Sequence, residues 1–130
     1  MSEHADVANY DAVVVEDYSA QYPDPIMLAV GESATLDGRG EAWEENPDWI
    51  WVWGTSAAGK SGWIPRRLLR IEGARGAKTG VALEDYDARE LSVAKGERVA
   101  VSREACGWAW CVADAQRSGW VPLSHLRRAF

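Results

Sequence analysis

The sequence predicts an all-β protein: two tandem small five-stranded barrels joined by a short linker. Three observations carry this prediction. First, the chain repeats itself, four blocks recurring in the same order. "VVVEDYSA" (13–20) recurs as "VALEDYDA" (81–88), and "IMLAVGESATL" (26–36) as "LSVAKGERVAV" (91–101). "DWIWVW" (48–53) recurs as "GWAWCV" (107–112), and "SGWIPRRLL" (61–69) as "SGWVPLSHL" (118–126). Second, each block is short, rich in Val, Ile and Trp, and bounded by Gly, Asp, Ser or Pro, which is the chemistry of strands and turns. Third, no segment of ten or more residues carries a 3.6-residue apolar period.

Taken in order, residues 1–9 are acidic and polar. They lack the basic and apolar regions of a secretory signal and read as a short tail. Residues 10–72 form the first unit. The polar, glycine-containing "GARGAKT" (73–79) reads as a linker, and residues 80–130 form the second unit. Units this small bury proportionally little surface. Eight Trp against one Phe add large apolar area, and a contact between units would add more.

Composition narrows the function. The net charge of −6 repels a phosphate backbone, so nucleic acid is not the expected partner. No window approaches the roughly 20 apolar residues of a membrane helix. The chain reads as cytosolic. Cys106 and Cys111 have no second pair to complete a metal site, and they read as two ordinary thiols, Cys111 in the core. Neither metal nor cofactor is expected. The two His lie far apart, and no catalytic constellation is visible, so an enzyme is not expected.

One motif points elsewhere. Gly54, four residues, then Gly59-Lys60-Ser61 satisfies the phosphate-binding loop pattern. Such a loop must open a helix, whose N-terminal amides hold the phosphates. Here "GWIP" follows, and its Gly, β-branched Ile and Pro oppose a helix start. The second copy has "ADAQRSGWVP" at the same place, without the glycines or the Lys. The segment therefore reads as a turn between strands, and no nucleotide is expected.

The second unit resembles the Src homology 3 (SH3) family. "ALEDYDA", "ELSVAKGERVAV", "GWAW" and "SGWVPLSHL" follow one another as the family's ALYDY, ELSF-x-KGE, Trp pair and G-x-V-P-S-N-Y do. The first unit shows the same blocks more weakly, so the chain resembles a tandem pair of a variant, bacterial-type form. The resemblance implies two packed antiparallel sheets in each barrel. It also implies a non-catalytic module that binds short extended peptides, proline-containing ones among them, in an aromatic groove. Carried over, the groove residues are Tyr86, Trp108 and Pro122 in the second unit, and Tyr18, Trp49 and Pro65 in the first.

Two hallmark positions differ. The first Tyr of ALYDY is Glu84 in the second unit and Glu16 in the first; the final Tyr is His125 and Leu68. A carboxylate there suits a Lys, Arg or backbone N–H of a ligand better than a proline ring. The loop between "EDYDA" and "ELSV" is reduced to Arg89, whereas the first unit keeps "QYPDP". The grooves are therefore expected to be unequal. The loop "EAWEENPDW" (41–49) sets four acids and two Trp beside the first groove, which suits a basic peptide by steering and cation–π contact. The same loop also reads as a plain solvated surface. Two functional readings stay open. One is a peptide-binding module for Lys/Arg-containing or proline-containing segments. The other is a structural or homodimerising protein with vestigial grooves.

Overall fold

The computed structural model describes residues 6–73 and 78–129. The strands, in chain order, are β1 (Asp6–Val14), β2 (Met27–Leu28), β3 (Ser33–Ala42), β4 (Ile50–Ser56), β5 (Ser61–Pro65) and β6 (Leu69–Glu72). The second half supplies β7 (Lys78–Ala82), β8 (Tyr86–Asp87), β9 (Arg98–Ala105), β10 (Trp108–Asp114), β11 (Arg117–Pro122) and β12 (Leu126–Arg128). Short 3-10 turns, Arg66–Leu68 and Leu123–His125, follow β5 and β11. The protein is all-β, built as SH3-like small barrels.

Both barrels have one strand order, β5-β4-β3-β7-β6 and β11-β10-β9-β1-β12. In each, the fourth strand comes from the other repeat. β1 pairs with β9 and β12, and β7 with β3 and β6. The compact units thus differ from consecutive division at 73–79. The first barrel is Asp24–Ala88; the second comprises the described parts of Ala5–Pro23 and Arg89–Phe130. The first barrel is an insertion between two parts of the second. Of the expected linker, 74–77 lie outside the described residues. Its flanks, β6 and β7, are neighbours in one barrel, with Glu72 opposite Thr79. Of the expected tail, 1–5 lie outside the described residues, and 6–9 belong to β1.

The exchange repeats bond for bond. Gly31 N–H donates to Ala82 O in the first barrel, and Gly96 N–H to Val14 O in the second. The Asp85 carboxylate accepts from Val30 N–H, and the Asp17 carboxylate from Lys95 N–H. Gly31 (φ 86°) and Gly96 (φ 97°) take the left-handed conformation that the third residue of the Ala29–Glu32 and Ala94–Glu97 turns needs. Every one of these bonds joins a segment of one repeat to a segment of the other.

Loop length is one cause. In the first barrel Tyr86 opposes Leu28, Asp87 opposes Met27, and Ala88 N–H donates to Ile26 O. Were the second repeat to close on itself in this register, Arg89 and Glu90 would form the whole turn. Two-residue hairpin turns place a residue at positive φ and favour Gly, Asn or Asp. Arg-Glu is a poor pair for such a turn, and a short strained hinge invites exchange. The chain therefore runs from Ala88 straight into the second barrel. There Leu91 N–H donates to Trp120 O, and Trp120 N–H to Arg89 O.

Core size is the second cause. Gly80 opposes Ala34 in the first barrel, where Ala12 opposes Val99 in the second. A Cβ on Gly80 would lie 2.8 Å from Leu69 Cδ1. Ala12 and Val14, by contrast, are fully buried in the second core with Leu91, Val93, Val99 and Val121. Consecutive pairing would move Ala12 and Val14 into the fuller core and send Gly80 and Ala82 to the other. One barrel would be overpacked and the other left with a cavity, each at about 1–3 kcal/mol. A matching trade occurs inside the barrels. Gly54 stands where the other barrel has Cys111, and Ile64 where it has Val121; a Cβ on Gly54 would meet Ile64 Cδ1 at 3.0 Å.

The glycine-lysine-serine motif lies on a β-hairpin. Gly54–Ser56 end β4, Ser61 opens β5, and Gly59 (φ 84°) makes the turn between them.

Candidate functional site

The exchange regroups the expected groove residues. Tyr18 and Glu16 lie in the second barrel with Trp108, Pro122 and His125; Tyr86 and Glu84 lie in the first with Trp49 and Pro65. The grouping by repeat is corrected accordingly. The Tyr18 ring stands nearly perpendicular to Trp108 and to His125, 5.5 Å from each. Its hydroxyl donates to the Glu90 carboxylate at 2.7 Å, and the Gln21 N–H donates to the same oxygen at 3.0 Å. Burial, then the hydrogen bond to Glu90 and the charge of Glu90, hold the phenol well above its ordinary pKa. In the first barrel the Tyr86 hydroxyl donates to Trp63 O at 2.7 Å.

Glu16 meets His125 rather than standing alone at the groove. His125 Nε2 is 3.5 Å from its carboxylate, and Nδ1 is 3.2 Å from the carbonyls of Glu16 and Asp17. Glu84 is half-buried.

Register corrects one assignment outright. Trp108 opposes Pro122 across β10 and β11, and the residue opposite Pro65 is Trp51. Trp53 then opposes Trp63 as Trp110 opposes Trp120. The residue of the first barrel that corresponds in register to Trp108 is thus Trp51, and Trp49 lies one residue before β4 begins. The signal was available: Trp51 precedes Pro65 by 14 residues, as Trp108 precedes Pro122, and the shift aligns both hairpins without a gap.

The hallmark side chains are mostly covered. Trp108 is 7% exposed, Trp51 8% and Tyr86 5%, while Pro65 and Pro122 are fully buried. Tyr18 and Trp49 are half-buried. Trp49 closes the loop that joins β3 to β4. Its carbonyl accepts from Trp43 N–H, and its own N–H donates to Asn46 O. Glu44 and Glu45 stand at φ 52° and 60°, which throws two exposed carboxylates outward from consecutive left-handed residues. Glu41 and Asp48 are exposed as well. The second barrel has nothing comparable. Ala105 opposes Trp108, so its turn is Cys106–Gly107 alone, with φ 47° and 90°.

Both cysteines are buried, and neither forms a disulfide. Burial pushes the Cys111 thiol up to about 12. Among the described residues, no group of three or more His, Cys, Asp or Glu is placed to hold a metal ion.

The outer hairpin faces repeat a pattern. Trp53 and Trp63 stack edge to face at 5.3 Å, and Trp110 and Trp120 at 5.5 Å. Arg39 covers Trp53 and Arg89 covers Trp110. Arg89, the one-residue remnant of the loop, thus sits on the second barrel and also donates to the Ser118 hydroxyl.

No curated protein and no solved structure matches the chain. Residues 79–128 match the family model of the variant SH3 domain. That stretch is continuous in sequence but divided in space, since residues up to Ala88 complete the first barrel and the rest build the second. The matched residues are similar to the SH3 type of domain, whose members are in general protein-interaction modules.

Proposed function

We propose that the chain is a non-catalytic protein-interaction module whose contact surface is the long loop of the first barrel. Its partner is a segment carrying Lys or Arg. The observation that carries this reading is the pairing of half-buried Trp49 with the outward carboxylates of Glu44, Glu45 and Asp48. An aromatic face among carboxylates attracts a cation by cation–π contact and by long-range steering, and both fall with salt. Proline grip is less supported, because the residues that would form it are buried.

The test is titration of the whole chain with Lys/Arg-containing peptides at low and at high salt. Binding should weaken with salt and with Glu44→Lys/Glu45→Lys, and should fall on Trp49→Ala. Insensitivity to salt and charge would sink the reading.

A second reading treats the grooves as vestigial and the aromatics as structural. Burial of Trp108, Trp51, Tyr86 and both prolines favours it. Failure to bind either basic or proline-containing peptides would decide for it.

A further inference from the structure

The two barrels differ at one place that neither reading uses. In the second barrel a three-residue cluster fills the sheet beside the bulge of β9. The Tyr10 hydroxyl donates to the Glu104 carboxylate at 2.6 Å, and the Arg128 guanidinium lies 4.0 Å over the Tyr10 ring. Register identifies the matching positions of the first barrel. Tyr10 opposes Val101 where Lys78 opposes Leu36. Glu104 opposes Ala109 where Gly40 opposes Val52. Arg128 opposes Ala12 where Ile71 opposes Gly80. The ring and the carboxylate of the cluster have no counterpart there.

A cleft of about 460 Å³ occupies that place. Its floor is apolar: Leu36, Ile50, Val52 and Ile71. Its rim carries three cations, Arg39, Arg66 and Lys78, against one acid, Asp37. Asp37 is already committed, holding Arg39 through Nε at 2.8 Å and accepting the Arg39 N–H. Arg66 and Lys78 have no ion pair among the described residues. The wall is set by a bulge. Between Leu36 and Gly40 the register slips by two residues, and Gly38 (φ 92°) turns the chain. The volume falls within the usual range of ligand pockets, roughly 300–1,000 Å³.

We propose that this cleft binds a peptide segment in which an aromatic residue stands beside a glutamate or aspartate. Such a ligand supplies to the first barrel what Tyr10 and Glu104 supply to the second. The ring lies on the apolar floor and the carboxylate takes the unpaired Arg66 and Lys78. Size, apolar floor and free positive charge all match that chemistry, and its charge is opposite to that of the ligand proposed for the long loop. The two sites therefore take different ligands.

The probe is the acetylated, amidated peptide Glu-Tyr-Glu, titrated into the ¹⁵N-labelled full chain, with Lys-Tyr-Lys and Glu-Ala-Glu peptides as controls. Glu-Tyr-Glu should shift the amides of Gly38, Arg39, Gly40 and Lys78, and the controls should bind about tenfold more weakly or not at all. Arg66→Glu/Lys78→Glu should weaken binding by about tenfold or more. A second variant rebuilds the plug: Gly40→Glu/Ile71→Arg/Lys78→Tyr. A Cβ on Gly40 meets nothing closer than 3.7 Å, so the fold should accept it. A folded spectrum with binding lost supports the proposal. Shifts located elsewhere, equal shifts with Lys-Tyr-Lys, no shifts at all, or unchanged binding by the folded plug variant would overturn it.

Discussion

Where the second barrel closes on Cys106–Gly107 and fills its bulge with Tyr10, Glu104 and Arg128, the first keeps a loop from Trp43 to Trp49 and an open cleft. The two share a strand order and the same turn bonds, so the difference lies in what was added to or left out of a common frame. Both binding sites proposed above fall on the first barrel. The second barrel is the one whose corresponding turn is two residues long and whose bulge is filled by its own side chains, and it holds the two cysteines in buried positions. A duplicated barrel that keeps one copy closed can open the other without losing the frame, because the hydrogen bonds that build the frame are the same in both.

The comparison can be broken most directly at the exchanged strand. Asp11 opposes Ala100, both exposed, and the corresponding pair in the first barrel is Thr79 and Thr35. Asp11→Cys/Ala100→Cys should form a disulfide within the monomer, and Asp11→Cys/Thr35→Cys should not. Nonreducing electrophoresis of the monomeric fraction reads the result, since two cysteines far apart cannot be bridged. The reverse pattern would show consecutive, unexchanged barrels.

Stability should separate Trp51 from Trp49. Trp51→Ala empties a buried site and should cost about 3–5 kcal/mol. Trp49→Ala should cost about 1 kcal/mol, while taking with it the binding of a basic peptide. Equal losses in a denaturant titration would undo the register assignment.

The two "SGW" glycines come next. A Cβ on Gly119 would lie 2.7 Å from the Glu90 carbonyl carbon, a backbone atom, whereas one on Gly62 would meet Ile26 Cγ2 at 3.1 Å. Gly119→Ala should therefore lower stability by about 3 kcal/mol and Gly62→Ala by about 1 kcal/mol. The larger cost falls where the chain re-enters the second barrel.

The smallest expected effect is on acid sensitivity. Arg117 donates to the Glu97 carboxylate, which also accepts from Ala94 N–H, and these hold the Glu97 carboxyl below its ordinary value of 4.5. A depressed folded-state value stabilises fully above the unfolded value and is lost as the pH falls through the folded one. Glu97→Gln should thus flatten the fall in melting temperature below about pH 4.5. An unchanged slope would mean that the pair contributes nothing, as exposed pairs often do.

Much of the fold was readable in the residues. Glycines in the "VGES" and "KGER" turns, the "SGW" hairpin segments and the Val, Ile and Trp blocks place most strands of both barrels, although residues 6–9, expected as a tail, belong to β1, and residues 78–79, expected as linker, belong to β7. Removal of the nucleotide motif also followed from residues, since "GWIP" has no helix in it. Trp51 was within reach through its 14-residue spacing to Pro65. The burial of Trp108 was not, because alternation along a strand says which residues share a face but not what covers it. The cleft was not readable either. It arises from a register slip at Asp37, Gly38 and Arg39 set against residues of β6 and β7, which are distant in sequence.

The sequence by itself determined the strands, the turns, the duplication and the all-β class, because these rest on local propensity and on patterns within ten or so residues. Which copy of "VVVEDYSA" or "VALEDYDA" completes which barrel was decided only in three dimensions. Both copies offer the same backbone groups to the same turns, so local chemistry is degenerate. A two-residue Arg89–Glu90 closure that strain disfavours, and the fit of Gly80 to Leu69 against that of Ala12 and Val14 to the other core, lift the degeneracy.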